Sequence, residues 1–245
     1  MKKQMSESMR IASIITFSGG LQDAYTYFAR GKVFANAQTG NIVLMSEHLF
    51  NGEWEQVIHY LIPLAAFAAG IFAAEQVQGR YRYIKAVHWR QIVVLIEIFV
   101  LILAGFVPSA MNFLANAFVS FACAMQVQSF RKFHGHAYAS TMCIGNMRSG
   151  MASISAYTRT HNKRELTTGL SYFLVILIFA LGAGIGYVLV EKFGLHTIWI
   201  SPLVLTAAFF IMFVNTEKAE GNTTPSAVLK DIEEEEKEIL HPIAK

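Results

Sequence analysis

Residues 171–190 read SYFLVILIFALGAGIGYVLV, twenty positions without a charge. A helix of that length covers the roughly 30 Å hydrocarbon core of a bilayer. A soluble helix would carry a polar stripe. This run carries none, so it predicts a membrane-crossing helix. The reading extends outward to VIHYLIPLAAFAAGIFAA (57–74), QIVVLIEIFVLILAGFV (91–107) and TIWISPLVLTAAFFIMFV (197–214). The 245-residue chain is 54% hydrophobic and 15% charged, with a mean hydropathy of +0.40. Soluble domains carry about 25% charged residues. The sequence therefore predicts an all-α integral membrane protein.

The basic start, MKKQMSESMRIASIITFSGG, shows no small-x-small cleavage site, and its first helix is expected to stay. Six transmembrane helices are expected, at about 11–29, 57–78, 91–107, 111–130, 168–190 and 197–214. Two further segments, 34–50 and 138–157, are too polar for lipid and too apolar for loops. They hold the Gly-Asn pairs of FANAQTGNIVLM (34–45) and STMCIGNMRSGM (140–151). Each is expected as a re-entrant or broken-helix segment, because Gly permits unusual backbone and Asn, Gln and Thr satisfy freed backbone groups.

Charge sets the orientation. With both Gly-Asn segments re-entrant, Lys2, Lys3 and Arg10, the Arg80, Arg82, Lys85 and Arg90 cluster, Arg131 with Lys132, and Arg159 with Lys163 and Arg164 all face the cytoplasm. Arg30, Lys32 and Lys192 fall outside, with Glu47, Glu53 and Glu55. An eight-span chain would turn the 80–90 cluster outward, against that bias. Trp54, Trp89 and Trp199 stand at span ends.

The halves align weakly. Leu21-Gln22 matches Met125-Gln126, Phe34-Ala35 matches Tyr138-Ala139, and Gly40-Asn41 matches Gly145-Asn146 one inserted residue later. Three spans per half turn the second copy over. The expected fold is two inverted three-helix repeats, about 11–107 and 111–214, within a membrane domain of residues 1–214. A cytoplasmic tail, 215–245, sets eight acids against four lysines. Both termini are cytoplasmic in this reading, and the protein is multi-pass in the cytoplasmic membrane.

GGLQDAYTYF (19–28), FANAQTGNIVLM and the weaker IGNMRSGM (144–151) carry a resemblance. Over residues 10–214 the chain resembles the YoaK-like family, bacterial multi-spanning membrane proteins of uncharacterised function. In the second copy Ile144 stands where Thr39 stands in the first. The resemblance implies the membrane class and a bacterial inner membrane, and no substrate.

Glu97 sits mid-span, where a carboxylate costs about 2.5–3.5 kcal/mol on insertion scales. It reads as a proton carrier or as a helix tie. Asp23 lies among Gly19, Gly20 and the aromatics Tyr25, Tyr27 and Phe28, where it could pair with Arg30, bind a cation or proton, or sit as an interfacial acid near the outer surface. Arg148 could face a cavity, pair with Glu97 or Asp23, or snorkel to the interface. The candidate solute or ion pathway is Asp23, Thr39, Gly40, Asn41, Glu97, Gln126, Gly145, Asn146 and Arg148, with Gln128 beside it. Gly182 with Gly186, and Ala66 with Gly70, read as close-packing pairs within the chain or between subunits.

Cys123 and Cys143 read as packing residues. His134 and His136 do not make a metal site on their own. There is no phosphate-loop or dinucleotide fingerprint and no nucleophile in a known setting. No enzyme activity, cofactor, metal or nucleic-acid partner is expected. Expected partners are the lipid bilayer, a small polar solute or ion, and a second copy of the chain. The leading function is a small secondary transporter or exporter of a small polar solute. The alternative is a membrane scaffold or accessory subunit.

Overall fold

The computed structural model describes residues 8–81, 88–133 and 135–221, with side chains through Met212. Lys2, Lys3, Arg82, Lys85, His134 and the acidic run of the tail lie outside these residues. The helices are α1 (Met9–Ala29), α2 (Gln38–Phe50), α3 (Trp54–Tyr81), α4 (Trp89–Phe106), α5 (Asn112–Ser129), α6 (Cys143–Thr160), α7 (Lys163–Phe193) and α8 (Ile200–Gly221). Side-chain caps fix three helix starts. Ser8 Oγ accepts from Ile11 N, His88 Nδ1 from Arg90 N and Asn162 Oδ1 from Arg164 N. A short antiparallel ladder, β1 (Lys132–Phe133) with β2 (His136–Ala137), pairs Lys132 with Ala137 and Phe133 with His136.

Among the described residues, four helical stretches are long and apolar enough to cross a membrane: Trp54–Tyr81, Trp89–Phe106, Ser109–Ser129 and Lys163–Met212. The last holds both α7 and α8, separated by a 3-10 turn at Gly194–Trp199. α1, expected as the first span, is not among them. The reason lies in what surrounds it. Thr16, Ser18, Gln22, Asp23 and Thr26 on α1 are all buried inside the protein. A helix enclosed by other helices need not be greasy, because side chains rather than lipid meet its polar groups.

The helix pairs are held by small residues. α1 lies against α7, and α3 against α5. A Cβ on Gly20 would come within 2.2 Å of Phe179 O, and one on Gly182 within 2.2 Å of Phe17 O. On α3, a Cβ on Gly70 would meet Phe121 O at 2.4 Å. Gly186 meets Leu21 and Ala24 of α1 in the same way. The small-residue motifs of α3 and α7 therefore pack within the chain. α4 packs between α5 and α8, and α8 also touches α1.

Neither Gly-Asn helix is broken at its Gly-Asn pair. α2 is unbroken over 13 residues and α6 over 18, and both pairs sit in the first turn of their helix. The irregular backbone lies just before each helix, at residues 30–37 and 138–142. α2 is about 20 Å long at 1.5 Å per residue. That is short of the roughly 30 Å apolar core. It packs on α3, as α6 packs on α7.

Candidate functional site

The polar residues of α1 come together with α4, α5 and α8. Gln22 Nε2 donates to Ser18 Oγ at 2.9 Å, and Ser18 Oγ donates to Ser201 Oγ of α8 at 3.2 Å. Cys123 Sγ of α5 donates to Gln22 Oε1 at 2.7 Å. Glu97 of α4 lies beside the Gln22 side chain and is 0% exposed. Neither carboxyl oxygen of Glu97 has a hydrogen-bond partner among the described residues. The Gln22 amide neighbours Glu97, and its Nε2 keeps a second N–H beyond the one it gives to Ser18. A buried acid left this way is unusual, since the great majority of buried polar atoms are bonded.

Asp23 holds the chain that leads into α2. Its Oδ1 accepts from Asn36 N at 2.8 Å, and Asn36 Nδ2 donates to Gly19 O at 3.3 Å. Asn36 in turn neighbours the Cys123 thiol. Asp23, Asn36, Cys123, Gln22 and Glu97 thus form one contiguous buried polar series. Asn36 Oδ1 and Gln126 Oε1 are further buried oxygens without a donor. Gln126 on α5 uses its Nε2 on Ile15 O at 3.2 Å and Ser140 Oγ at 3.3 Å.

Asp23 does not pair with Arg30, as the sequence had suggested. Arg30 is fully buried and turns to the far end of α4. Its Nη2 donates to Ala104 O and Val107 O at 3.2 and 2.7 Å, and its Nη1 to Pro108 O and Asn112 Oδ1 at 3.2 and 3.1 Å. Its Nε donates to Tyr25 Oη at 2.6 Å. All five N–H donors are used. The guanidinium sits where the C-terminal carbonyls of α4 concentrate partial negative charge, which is how a cation without a carboxylate is held there. Sequence placed Arg30 in an outer loop. The only hint of its role was a cation directly after an apolar helix.

Asn41 and Asn146 perform the same act. Asn41 Nδ2 donates to Phe34 O at 2.7 Å, and Asn41 Oδ1 accepts from Phe34 N at 3.0 Å. Asn146 Nδ2 donates to Ala139 O at 2.7 Å, and Asn146 Oδ1 accepts from Ala139 N at 3.4 Å. Each Asn clamps the backbone seven residues before it, satisfying the irregular stretch that leads into its helix. In this role Ala139, rather than Tyr138, stands where Phe34 stands.

The remaining sequence candidates lie elsewhere. Thr39 is exposed on α2, and a Cβ on Gly40 would sit 3.2 Å from the Phe34 ring. Gly145 is open, with nothing within 4 Å of a Cβ. Arg148 is exposed on α6 and bonds neither Glu97 nor Asp23. Gln128 donates to Glu75 Oε1, and Arg131 lies 3.5 Å from the same oxygen, outside the buried series. Ser18, Gln22, Asn36 and Cys123 were not chosen from sequence as site residues. The available signal was the run of Ser, Gly, Gln, Asp and Thr at positions 16–26 of an otherwise apolar helix.

Comparison with known proteins points the same way. The transmembrane protein YoaK of Bacillus subtilis (strain 168), described as a UPF0700 protein, is 26% identical over 225 residues. That alignment covers 86% of this chain and 95% of the relative. No solved structure matches. A family described as "Protein of unknown function (DUF1275)" matches residues 11–211. With a family match over most of its length, and four described stretches long and apolar enough to cross a bilayer, this chain is a membrane protein that belongs to the DUF1275 family.

Proposed function

We infer that the protein is a small secondary transporter of a small polar solute, built from two inverted three-span halves. In this reading α1, α3 and α4 form the first half and α5, α7 and α8 the second. α1 crosses as an enclosed helix, the Lys163–Met212 stretch crosses twice, and α2 and α6 do not cross. Exchanging the halves turns the α1–α7 pair into α5–α3 and the α2–α3 pair into α6–α7, which supports the repeat. The observation that carries the transport reading is Glu97. A membrane-buried acid without a bond partner, beside a polar series shared by α1 and α5, gains nothing for packing and fits a coupling site between moving halves. Here the site is closed over, and solute reaches it when α1 shifts against α4 and α5.

Two experiments test this. Inverted vesicles containing wild type or Glu97→Gln are loaded with cell metabolites under an imposed pH gradient, and their contents are profiled. At least one polar metabolite is expected to differ between the two, and identical contents overturn the transport reading. Single cysteines at Gly52 and Asn162, both in turns after Gly-Asn helices, test the inversion. An impermeant thiol reagent should reach Gly52 from outside and Asn162 from the cytoplasm. Labelling from the same side overturns the repeat.

A further inference from the structure

The two irregular stretches meet at one residue of α1. From the stretch before α2, Asn36 Nδ2 donates to Gly19 O at 3.3 Å. From the stretch before α6, Thr141 packs so closely that a Cβ on Gly19 would come within 2.5 Å of its Cγ2. The same Cβ would stand 3.4 Å from Gln126 Nε2 of α5. The next residue, Gly20, lies against Phe179 and Ala183 of α7. Those two sit midway along the uncharged run 171–190, so the junction lies near the middle of the membrane. Asp23 is one turn on from Gly19 and accepts from Asn36 N.

This junction is short of donors. Asn36 spends its nitrogen on Gly19 O, and Gln126 spends its own on Ile15 O and Ser140 Oγ. Main-chain carbonyls only accept, so turning either amide round would set oxygen against oxygen. Asn36 Oδ1 and Gln126 Oε1 are thereby left without a donor, on residues 6% and 0% exposed. The same excess holds across the described buried side chains. Asn116 Oδ1 and both Glu97 oxygens also lack a donor, while Gln91 Nε2 is the one amide nitrogen without an acceptor. A buried acceptor left unmet costs about 1–3 kcal/mol. Such a group beside an acid fits a ligand that brings donors.

Charge is unbalanced in the same direction. Asp23 and Glu97 are buried acids. Arg30 is the only buried base among the described residues, and it is spent on the α4 carbonyls, Asn112 and Tyr25. A metal cation would want about six oxygens, and the described residues hold no group of three His, Cys, Asp or Glu able to share one. A water brings donors without charge. An ammonium group brings three N–H donors and a positive charge together. Asp23, rather than Glu97, is the acid at the junction. Its partner Asn36 reaches Gly19, whereas the polar neighbours of Glu97 are Gln22 and Cys123.

We propose that the solute is a small cation whose ammonium group binds beside Gly19, with Asp23 as its counter-charge and Asn36 Oδ1 and Gln126 Oε1 accepting its N–H groups. The proposal rests on the transport reading and names its substrate class, with Glu97 keeping the coupling role. The three acceptors come from α1, the lead into α2, and α5. A bound ammonium group therefore ties together elements that separate when it is released.

Binding of radiolabelled ethylammonium to the full-length protein in lipid nanodiscs, read by scintillation proximity, tests it. Wild type should bind the label saturably. Unlabelled ethylammonium should displace it, whereas tetramethylammonium (equal charge, no N–H), ethanol and acetate should not. Asp23→Asn should weaken binding about thirtyfold or more, and Gln126→Leu about tenfold. No saturable binding to wild type overturns the site, as does displacement by tetramethylammonium or acetate equal to that by ethylammonium. Unchanged affinity in a folded Asp23→Asn overturns it too, and if that variant does not fold, the order of displacers on wild type decides alone. Ammonium chloride run in parallel separates the sources: tighter binding than ethylammonium assigns the site to the free ion, weaker binding to an amine head group, and both support it. In the vesicle assay, the metabolites that differ between wild type and Glu97→Gln should be amines. Differing metabolites that are all anions would leave transport standing and overturn this substrate class. Ethylammonium binding with identical vesicle contents would keep the site and overturn transport.

Discussion

The stretch from Asp23 to Asn41 and the stretch from Gln126 to Asn146 are built alike but carry different chemistry. Both end in an Asn that clamps the backbone seven residues earlier. Both tie the irregular stretch to the preceding long helix: Asn36 donates to Asp23 and Gly19, and Ser140 accepts from Gln126. The first stretch, however, holds an acid at its helix and a buried Arg30 at its turn, and its half supplies Glu97. The second is neutral at these contacts. Scaffolding recurs in the two halves and charge does not.

The comparison can be broken most severely at Arg30, for which the described residues of the second stretch show no buried basic counterpart. Arg30→Ala takes a buried donor from the carbonyls of Ala104, Val107 and Pro108 and from Asn112 Oδ1, and should cost roughly 3–5 kcal/mol. Denaturant unfolding in detergent would read it as a large drop in midpoint, and an unchanged midpoint would remove Arg30 from the frame of the first half. The matched glycines come next. Gly20→Ala and Gly70→Ala each push a methyl to within 2.4 Å of a carbonyl oxygen on the facing helix. Each should cost about 1–3 kcal/mol by overpacking, with Gly184→Ala, which meets nothing, near zero. Equal effects at all three would mean the pairs are not in close contact.

The Asn clamps sharpen the comparison directly. Asn41 also bonds Gln38 Oε1 at 2.9 Å, and its Phe34 bonds are shorter overall than those of Asn146 to Ala139. Asn41→Ala should therefore cost about 2–3 kcal/mol and Asn146→Ala about 1–2 kcal/mol. Equal losses measured by the same unfolding assay would contradict that ranking. The smallest effect sets two helix caps side by side. His88 on α4 and Asn162 on α7 each accept from an Arg backbone N–H two residues on. Burial, and then the Arg90 charge, lower the His88 pKa. Its contribution is thus whole above the unfolded value near 6.5 and is lost as pH falls through the lower folded value. Between about pH 7 and pH 5, wild type should lose up to about 1 kcal/mol that His88→Asn retains. Parallel unfolding curves for the two proteins across that range would rule out this titration.

Most of what the sequence made legible concerns lipid. Runs such as 171–190 announce helices, because hydrocarbon excludes charge and unpaired backbone whatever the neighbours are. The small residues on α3 and α7 were legible as packing faces for a similar reason. α1 was legible as a helix, but its place inside the bundle was not, because polarity alone does not distinguish an enclosed helix from a weak span. Thr39, Gly145 and Arg148 were chosen for their type beside the Gly-Asn pairs, and they face outward because the helix turns them away from the clamping Asn.

Sequence by itself settled the membrane class and most helix positions within a few residues, and it picked out Glu97, Asp23 and the two Asn residues as candidates. Tertiary structure alone decided who meets whom. Arg30 reaches residues more than seventy positions away, Cys123 reaches Gln22 across a hundred, and Ser201 reaches Ser18 across more. A hydrogen bond needs its partners about 3 Å apart. Which distant residues come within that range is fixed by how the helices stack, and helix stacking is a property of the folded bundle that no local stretch of sequence carries.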